Sequence, residues 1–302
     1  MMQIDKRNGN VAFNDENHKY FDVNDEEKQY ISVTTLIGKY EQEFDKNFWS
    51  AYKALEKLIP KDHWSMEKKS LLASKKFKKE ILELYNISEN DFNKVQQDIL
   101  DEWDKKNKEA CERGTKIHAD LENSFYAGGK NVNLKKFGIG GKFECKKDYT
   151  DLDLEYGVYP EYLVYRESDD GILRIAGQID CIVKSGNEIT IIDHKTNGKI
   201  DLKSGFNTQT KSTTKMKYPL NNLDDCNFQH YTMQLSTYAW MLQKINPNFV
   251  IKDLILNHYD HDGNNTLYHC EYRKHDVEKM LYHYKKNLIL ERERNKRKRI
   301  EY

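Results

Sequence analysis

Glu161-Tyr162-Leu163-Val164-Tyr165, Ile172–Lys184 and Ile189-Thr190-Ile191-Ile192-Asp193-His194-Lys195 decide how this chain is read. The three runs are rich in β-branched and aromatic residues. Asp169-Asp170-Gly171 and Ser185-Gly186-Asn187 part them, and such turn-forming clusters predict an antiparallel meander. Gly177-Gln178-Ile179-Asp180 lies on the middle strand, and twelve residues separate Asp180 from Asp193. Pairing across the Gly186 turn brings both carboxylates to the same end of the sheet. Strand alternation puts Asp193 and Lys195 on one face and turns His194 to the other. Phosphodiester cleavage needs a cation against the developing charge, an activated water and a group to orient or deprotonate that water. Carboxylates are natural ligands for Mg²⁺, and Lys195 is placed to handle water and offset phosphate charge. A lone D-x-K is common by chance. An apolar strand ending in D-x-K beside a G-x-I-D strand is far more specific than scattered surface charge.

Outward from the meander, the pattern predicts an α/β protein with a helical N-terminal part. Val11–Phe13, Tyr20–Val23 and Tyr30–Val33 read as short strands, and Ser32-Val33-Thr34-Thr35 leads into helix. From Phe48 to about Phe125 the spacing is helical, with Trp49, Tyr52, Leu55 and Leu58 at three-residue steps and Pro60 as a stop. The Gly- and Lys-rich stretch from Gly128 to about Glu155 reads as a loop or small hairpin insertion. Asn227–Lys244 reads as a helix, Val250–Tyr259 and Thr266–Tyr272 as strands, and His275 to about Lys298 as a closing helix. The resulting partition is 1–45 strands and turn, 46–127 helical subdomain, 128–155 insertion and 156–302 core. Lys68-Lys69, Lys75-Lys76 and Lys78-Lys79 read first as a solvated helix face, with a nucleic-acid stripe as the rival. The basic run Arg292–Arg299 reads as a solvated helix end or as a contact for a nucleic-acid backbone.

Composition narrows the class. Lys plus Arg and Asp plus Glu number 49 each, so any nucleic-acid surface must be local. The 20 Tyr, 12 Phe and 4 Trp supply core material that disordered chains lack. Cys111, Cys145, Cys181, Cys226 and Cys270 are dispersed, with no CxxC, as expected of reduced thiols. Met1–Asn10 has no apolar h-region, and no run reaches the roughly 18 apolar residues of a membrane span, so a cytoplasmic protein is expected. No GxxxxGK[ST] loop points to a motor, and His118 with Glu122 is not HExxH.

The Asp180 and Asp193-His194-Lys195 pattern resembles the RecB-type branch of the PD-(D/E)XK nucleases. Further pieces agree in order along roughly residues 30 to 290: Gly114-Thr115-Lys116-Ile117-His118 with Glu122, Glu161, and Gln234-Leu235-Ser236-Thr237-Tyr238. The Ser32-Val33-Thr34-Thr35 segment and Phe48-Trp49 are similar to the mitochondrial genome maintenance exonuclease subgroup and related phage exonucleases. The resemblance implies a restriction-endonuclease-like core, a central mixed sheet flanked by helices. It implies metal ligation by His118, Asp180 and Asp193, with Glu161 serving a second metal or water and Lys195 as base or water-orienter. Gln234, Tyr238 and Glu122 would support the site or contact DNA. Read without the resemblance, His118 fits a partly buried, satisfied histidine, Glu122 a surface acid, Glu161 a strand-edge charge and Tyr238 core packing. Residue 194 is histidine where the branch often carries an aromatic or apolar residue; its backbone carbonyl remains a possible ligand.

The expected activity is a DNA exonuclease using one or two Mg²⁺ or Mn²⁺ ions on single strands or ends, in replication, recombination or repair. Recombination or replication proteins are possible partners, and the compartment is the host cytoplasm if the chain is phage-encoded. Lacking a cysteine trio near its C-terminus, it is not expected to hold an Fe–S cluster. The rivals are a structure-specific endonuclease, a duplex-end recombination nuclease, and a catalytically inactive DNA-binding module.

Overall fold

The computed structural model describes residues 3–4, 9–14, 17–74, 79–146, 154–207 and 211–300. Four strands come first: β1 (Gln3–Ile4), β2 (Val11–Asn14), β3 (Lys19–Asp22) and β4 (Asp25–Ser32). Helices α1 (Val33–Gly38), α2 (Lys46–Leu58), α3 (Lys61–Ser74), α4 (Glu80–Leu84) and α5 (Glu89–Gly128) follow. The meander is β5 (Gly157–Glu167), β6 (Arg174–Ser185) and β7 (Glu188–Lys195). The short pair β8 (Phe206–Asn207) and β9 (Ser212–Thr213), α6 (Asn227–Ile245), β10 (Val250–Tyr259), β11 (Asn265–His269) and α7 (Lys274–Ile300) complete the chain.

Contacts divide the chain into two compact units, Glu43–Thr115 and the remainder. The smaller unit is helical. Phe48, Tyr52, Leu55, Ile81, Leu82, Phe92 and Ile99 form its core, with Trp49, Trp64 and Trp103 packed against them. Asp45 caps α2 by accepting from the Phe48 amide at 2.8 Å, satisfying a donor that a helix start leaves over. Lys68 and Lys69 are exposed on α3, whereas Lys75, Lys76 and Lys78 lie outside the described residues. The sequence places a helical subdomain over 46–127; α5 runs unbroken to Gly128, but its last turns, from Lys116, belong with the sheet.

The larger unit is α/β. Its mixed sheet runs β1-β2-β3-β4-β6-β7-β10-β11, with β5 on the other edge of β6. β5, β6 and β7 are antiparallel neighbours, while β4–β6 and β7–β10 are parallel. Helices α1, α6 and α7 cover one face, where Leu36, Met233, Leu235, Leu242, Val277 and Met280 meet Tyr162, Ile182, Ile191 and Leu254. The other face is closed by Phe125 of α5 together with Val132, Leu134, Phe137 and Phe143, which pack on Val158, Cys181, Val183, Ile192 and Ile255. Where described, the 128–155 insertion carries an antiparallel Val132–Phe143 bridge and packs on the sheet as an apolar cap; residues 147–153 lie outside the described residues. Among the described residues, no helix is long and apolar enough to cross a membrane.

One irregularity positions the site. Along the edge opposite β5, β6 pairs first with β4 (Ile31↔Ile175, Ser32↔Ala176) and later with β7 (Cys181↔Ile192 onward). Gly177–Asp180 falls in the fork between those partners. Side-chain alternation also breaks here. Tyr159 and Ile182 face α6, and so do Tyr162 and Ile179, which an unbroken alternation would put on the opposite face. Glu161 sits at the break with φ of +47°, a left-handed conformation unusual for a non-glycine residue.

Candidate metal centre

The strand register explains why three carboxylates converge. Pro160↔Cys181 and Tyr162↔Ile179 flank Glu161 and Asp180, so these two lie across from one another on β5 and β6. The β6–β7 ladder ends at Cys181↔Ile192, one step short of Asp180 and Asp193. Instead of continuing, the Asp180 carboxylate (Oδ2) accepts from the His194 backbone amide at 2.6 Å, bridging the fork.

α5 supplies the fourth group. His118 Nδ1 is 3.5 Å from Asp180 Oδ2, and its Nε2 lies 3.1 Å from the His194 carbonyl oxygen. Donor atoms of His118, Glu161 and Asp180 lie within 4.8 Å of one another, the one such cluster among the described residues. Two adjacent ligands on an octahedral ion with bonds of about 2.1 Å stand about 3 Å apart. The His118–His194 carbonyl spacing matches that figure. Imidazole, two carboxylates and a carbonyl form a hard, mixed N/O donor set that fits Mg²⁺ and, through the nitrogen, Mn²⁺ even better.

Asp193, expected as a metal ligand, neighbours Asp180 but is not among those donors, because its carboxylate is engaged on both oxygens. Lys195 Nζ lies 2.6 Å from Oδ2, and Gln234 Nε2 donates to Oδ1 at 3.0 Å. Gln234 is held in turn by the Tyr238 hydroxyl, 3.3 Å away, so the two share one face of α6 as their spacing requires. Glu122 sits one turn beyond His118, where it hydrogen-bonds Tyr126 and adds to the negative field at Glu161. His194 turns to the opposite face from Asp193 and Lys195. Its Nδ1 accepts from Asn257 Nδ2 at 2.8 Å and its ring stacks on Phe125 at 6.4 Å.

Sequence reasoning missed Tyr231, whose ring lies 4.7 Å beneath Lys195 Nζ, and Gln178, which hydrogen-bonds Glu161. Tyr231 was within reach of the pattern, being three residues before Gln234 on one helix face. Nothing in the local sequence marks Gln178.

Charge crowding sets the protonation. Burial first, then Asp180, Glu122 and Asp193, hold Glu161 well above the usual carboxylate range. Burial, then Asp193, pushes Asp180 up to about 6 against the pull of His118 and Lys195. Burial draws the Lys195 ammonium down, but Asp193 and Asp180 outweigh it and the net direction is up. Burial brings the His194 imidazole down to about 3, so this ring is neutral.

A pH-dependent response to metal follows. A carboxyl raised in the folded state favours folding while protonated, and that contribution is lost as pH climbs through about 6. A cation bound by the ionised cluster restores it. In thermal melts, Mn²⁺ at about 100 times its Kd should stabilise by roughly 2.7 kcal/mol near neutral pH. The same Mn²⁺ concentration should do little near pH ~4, where protons hold the site. An equal shift at both pH values would exclude this cluster as the binding site.

No family model matches the chain, and no curated protein matches it. Among solved structures, SSO0001 is similar over 44% of this chain and 50% of its own, at 18% identity and a TM-score of 0.25. The chain thus spans half the length of that structure, and the likeness is too slight to bear on function.

Proposed function

We propose that the chain is a divalent-metal-dependent DNA exonuclease of PD-(D/E)XK type, acting on single strands or DNA ends. The observation that carries this reading is the fork of β6. There Glu161, Asp180 and His118 gather around the His194 peptide, with the Asp193–Lys195 pair beside them. A Mg²⁺ or Mn²⁺ ion in that cluster supplies Lewis acidity for phosphodiester hydrolysis. His118, Asp180 and the His194 carbonyl would hold it, with Glu161 available to a second ion or to water.

The side chains divide the remaining work. Asp193 fixes the Lys195 ammonium, and Gln234 fixes Asp193. The raised Lys195 stays protonated at neutral pH, which favours orienting water and offsetting phosphate charge over acting as base. Glu161, held above the usual carboxylate range by burial and by Asp180, would take up a proton more readily than an ordinary carboxylate. Function in replication, recombination or repair, in a cytoplasm, belongs to the same proposal.

End-labelled linear and circular single-stranded DNA, incubated with Mn²⁺ or EDTA, test it. Linear DNA should be degraded with Mn²⁺ only, and circles spared. Lys195→Ala should lower the rate roughly 10²- to 10³-fold. Cut circles would replace the exonuclease by an endonuclease, and a wild type no more active than Lys195→Ala would end the enzyme reading.

A further inference from the structure

Beyond the metal cluster, one surface of the larger unit combines exposed aromatic and basic groups. Tyr218 is 71% exposed and meets the His283 ring edge-on at 5.3 Å. His283 is fixed from below, because the Tyr40 hydroxyl lies 3.1 Å from its Nδ1 and also donates to the Met280 carbonyl at 3.3 Å. The Lys217 amide donates to the Tyr40 carbonyl at 2.7 Å, tying the Tyr218 segment to the same support. Lys39 lies over the Tyr284 ring at 5.9 Å. The aromatic surface is therefore held rigid on its inner side and open on its outer side.

Its inner edge leads to the candidate site. Glu41 follows Tyr40, lies 3.4 Å from His230 and is within electrostatic reach of Tyr231, the ring beneath Lys195. Its outer edge continues along α7. At 100° per residue, His283, Asn287, Leu290, Arg294 and Arg297 fall on one face, with Lys286 at its border. Leu290 is 41% exposed, and among the described residues Lys286, Arg294 and Arg297 form no ion pair. The chain's net charge is zero, so a run of unpaired cations along an open aromatic surface is a local departure.

We infer that Tyr218 and His283, continued by Arg294 and Arg297 on α7, form a track for single-stranded DNA leading to the Lys195 side of the site. Bases stack on the exposed Tyr218 ring, and the α7 cations follow the phosphates, the combination that sequence-tolerant single-strand binding uses. A duplex, with its bases already stacked internally, gains nothing from Tyr218. The inference rests on the nuclease reading for the identity of the strand.

Fluorescence anisotropy of a labelled oligothymidylate, with EDTA to prevent cleavage, tests it on the intact chain. Tyr218→Ala should weaken single-strand binding roughly 5- to 150-fold without changing the salt slope or duplex binding. The double variant R294S/R297S should flatten the dependence of log K on log salt by about 1.4. Both changes lie on exposed side chains, and unchanged melting temperatures will confirm intact folds. Wild-type affinity and slope in both variants, from a protein that digests DNA, would overturn the track and leave the nuclease reading standing. The expected losses in a protein that cleaves nothing would support the track while removing the nuclease. No binding of single-stranded DNA by wild type would overturn the track outright. RNA of matching sequence, run in parallel, reports whether the sugar matters; preference for RNA over DNA would overturn the assignment to DNA.

Discussion

Asp180→Asn is expected to abolish metal-dependent cleavage, a loss of at least roughly 10³-fold, while making the protein more stable in EDTA near neutral pH. The two effects share one cause. Asp180 is buried beside Asp193 and Glu161, and its carboxyl is pushed up to about 6. Above that pH its charge opposes folding by on the order of 3 kcal/mol, and a neutral amide removes the cost. Asparagine keeps the acceptor for the His194 amide, so the fork stays bridged. Added Mn²⁺ should raise the melting temperature of wild type but not of the variant. A variant that cleaves DNA at close to the wild-type rate, or melts below wild type in EDTA, contradicts this account. Such a stability gain on losing a site residue is the signature of function held against stability.

Gly177→Ala should damage the site from behind. A Cβ at this position would meet Tyr238 Cε1 at 2.6 Å, closer than real contacts allow, and its hydroxyl at a tight 3.1 Å. Tyr238 is 3% exposed and cannot swing into solvent, so overpacking should cost about 1–3 kcal/mol. The displaced ring also disturbs Gln234, which positions Asp193, so activity should fall along with stability. Tyr238→Leu, combined with Gly177→Ala, opens the space and should recover stability relative to Gly177→Ala alone. Additive losses in the double variant would show that the two residues do not collide.

These two residues also show how far the sequence could be read. The Ile189–Ile192 run announces a buried strand because its apolar, β-branched character is local. The same holds for the apolar spacing of Asn227–Lys244, and the meander and α6 lie where those patterns put them. Even the opposite facing of Asp193 and His194 follows from alternation alone. The fork does not. It depends on β4 pairing with β6 across a long stretch of intervening chain, and no local pattern carries such a register. The left-handed Glu161 and the alternation break beside it are likewise tertiary outcomes, invisible to periodicity. Gly177 reads as an ordinary strand glycine until Tyr238 is seen against it. The apolar residues of the 128–155 cap are masked in the sequence by the glycines and lysines around them.

The peptide group at residue 194 has a consequence for how this protein tolerates sequence drift. Its amide serves Asp180 and its carbonyl faces His118, so position 194 contributes main-chain atoms that every amino acid but proline supplies in full. The imidazole is occupied elsewhere, between Asn257 and Phe125 in the core. Substitutions at 194 are therefore filtered by packing volume and by the fate of Asn257, not by chemistry at the fork. A library randomised at 194 and 257 together should return apolar pairs that keep the site, whereas one randomised at 180 should return aspartate alone.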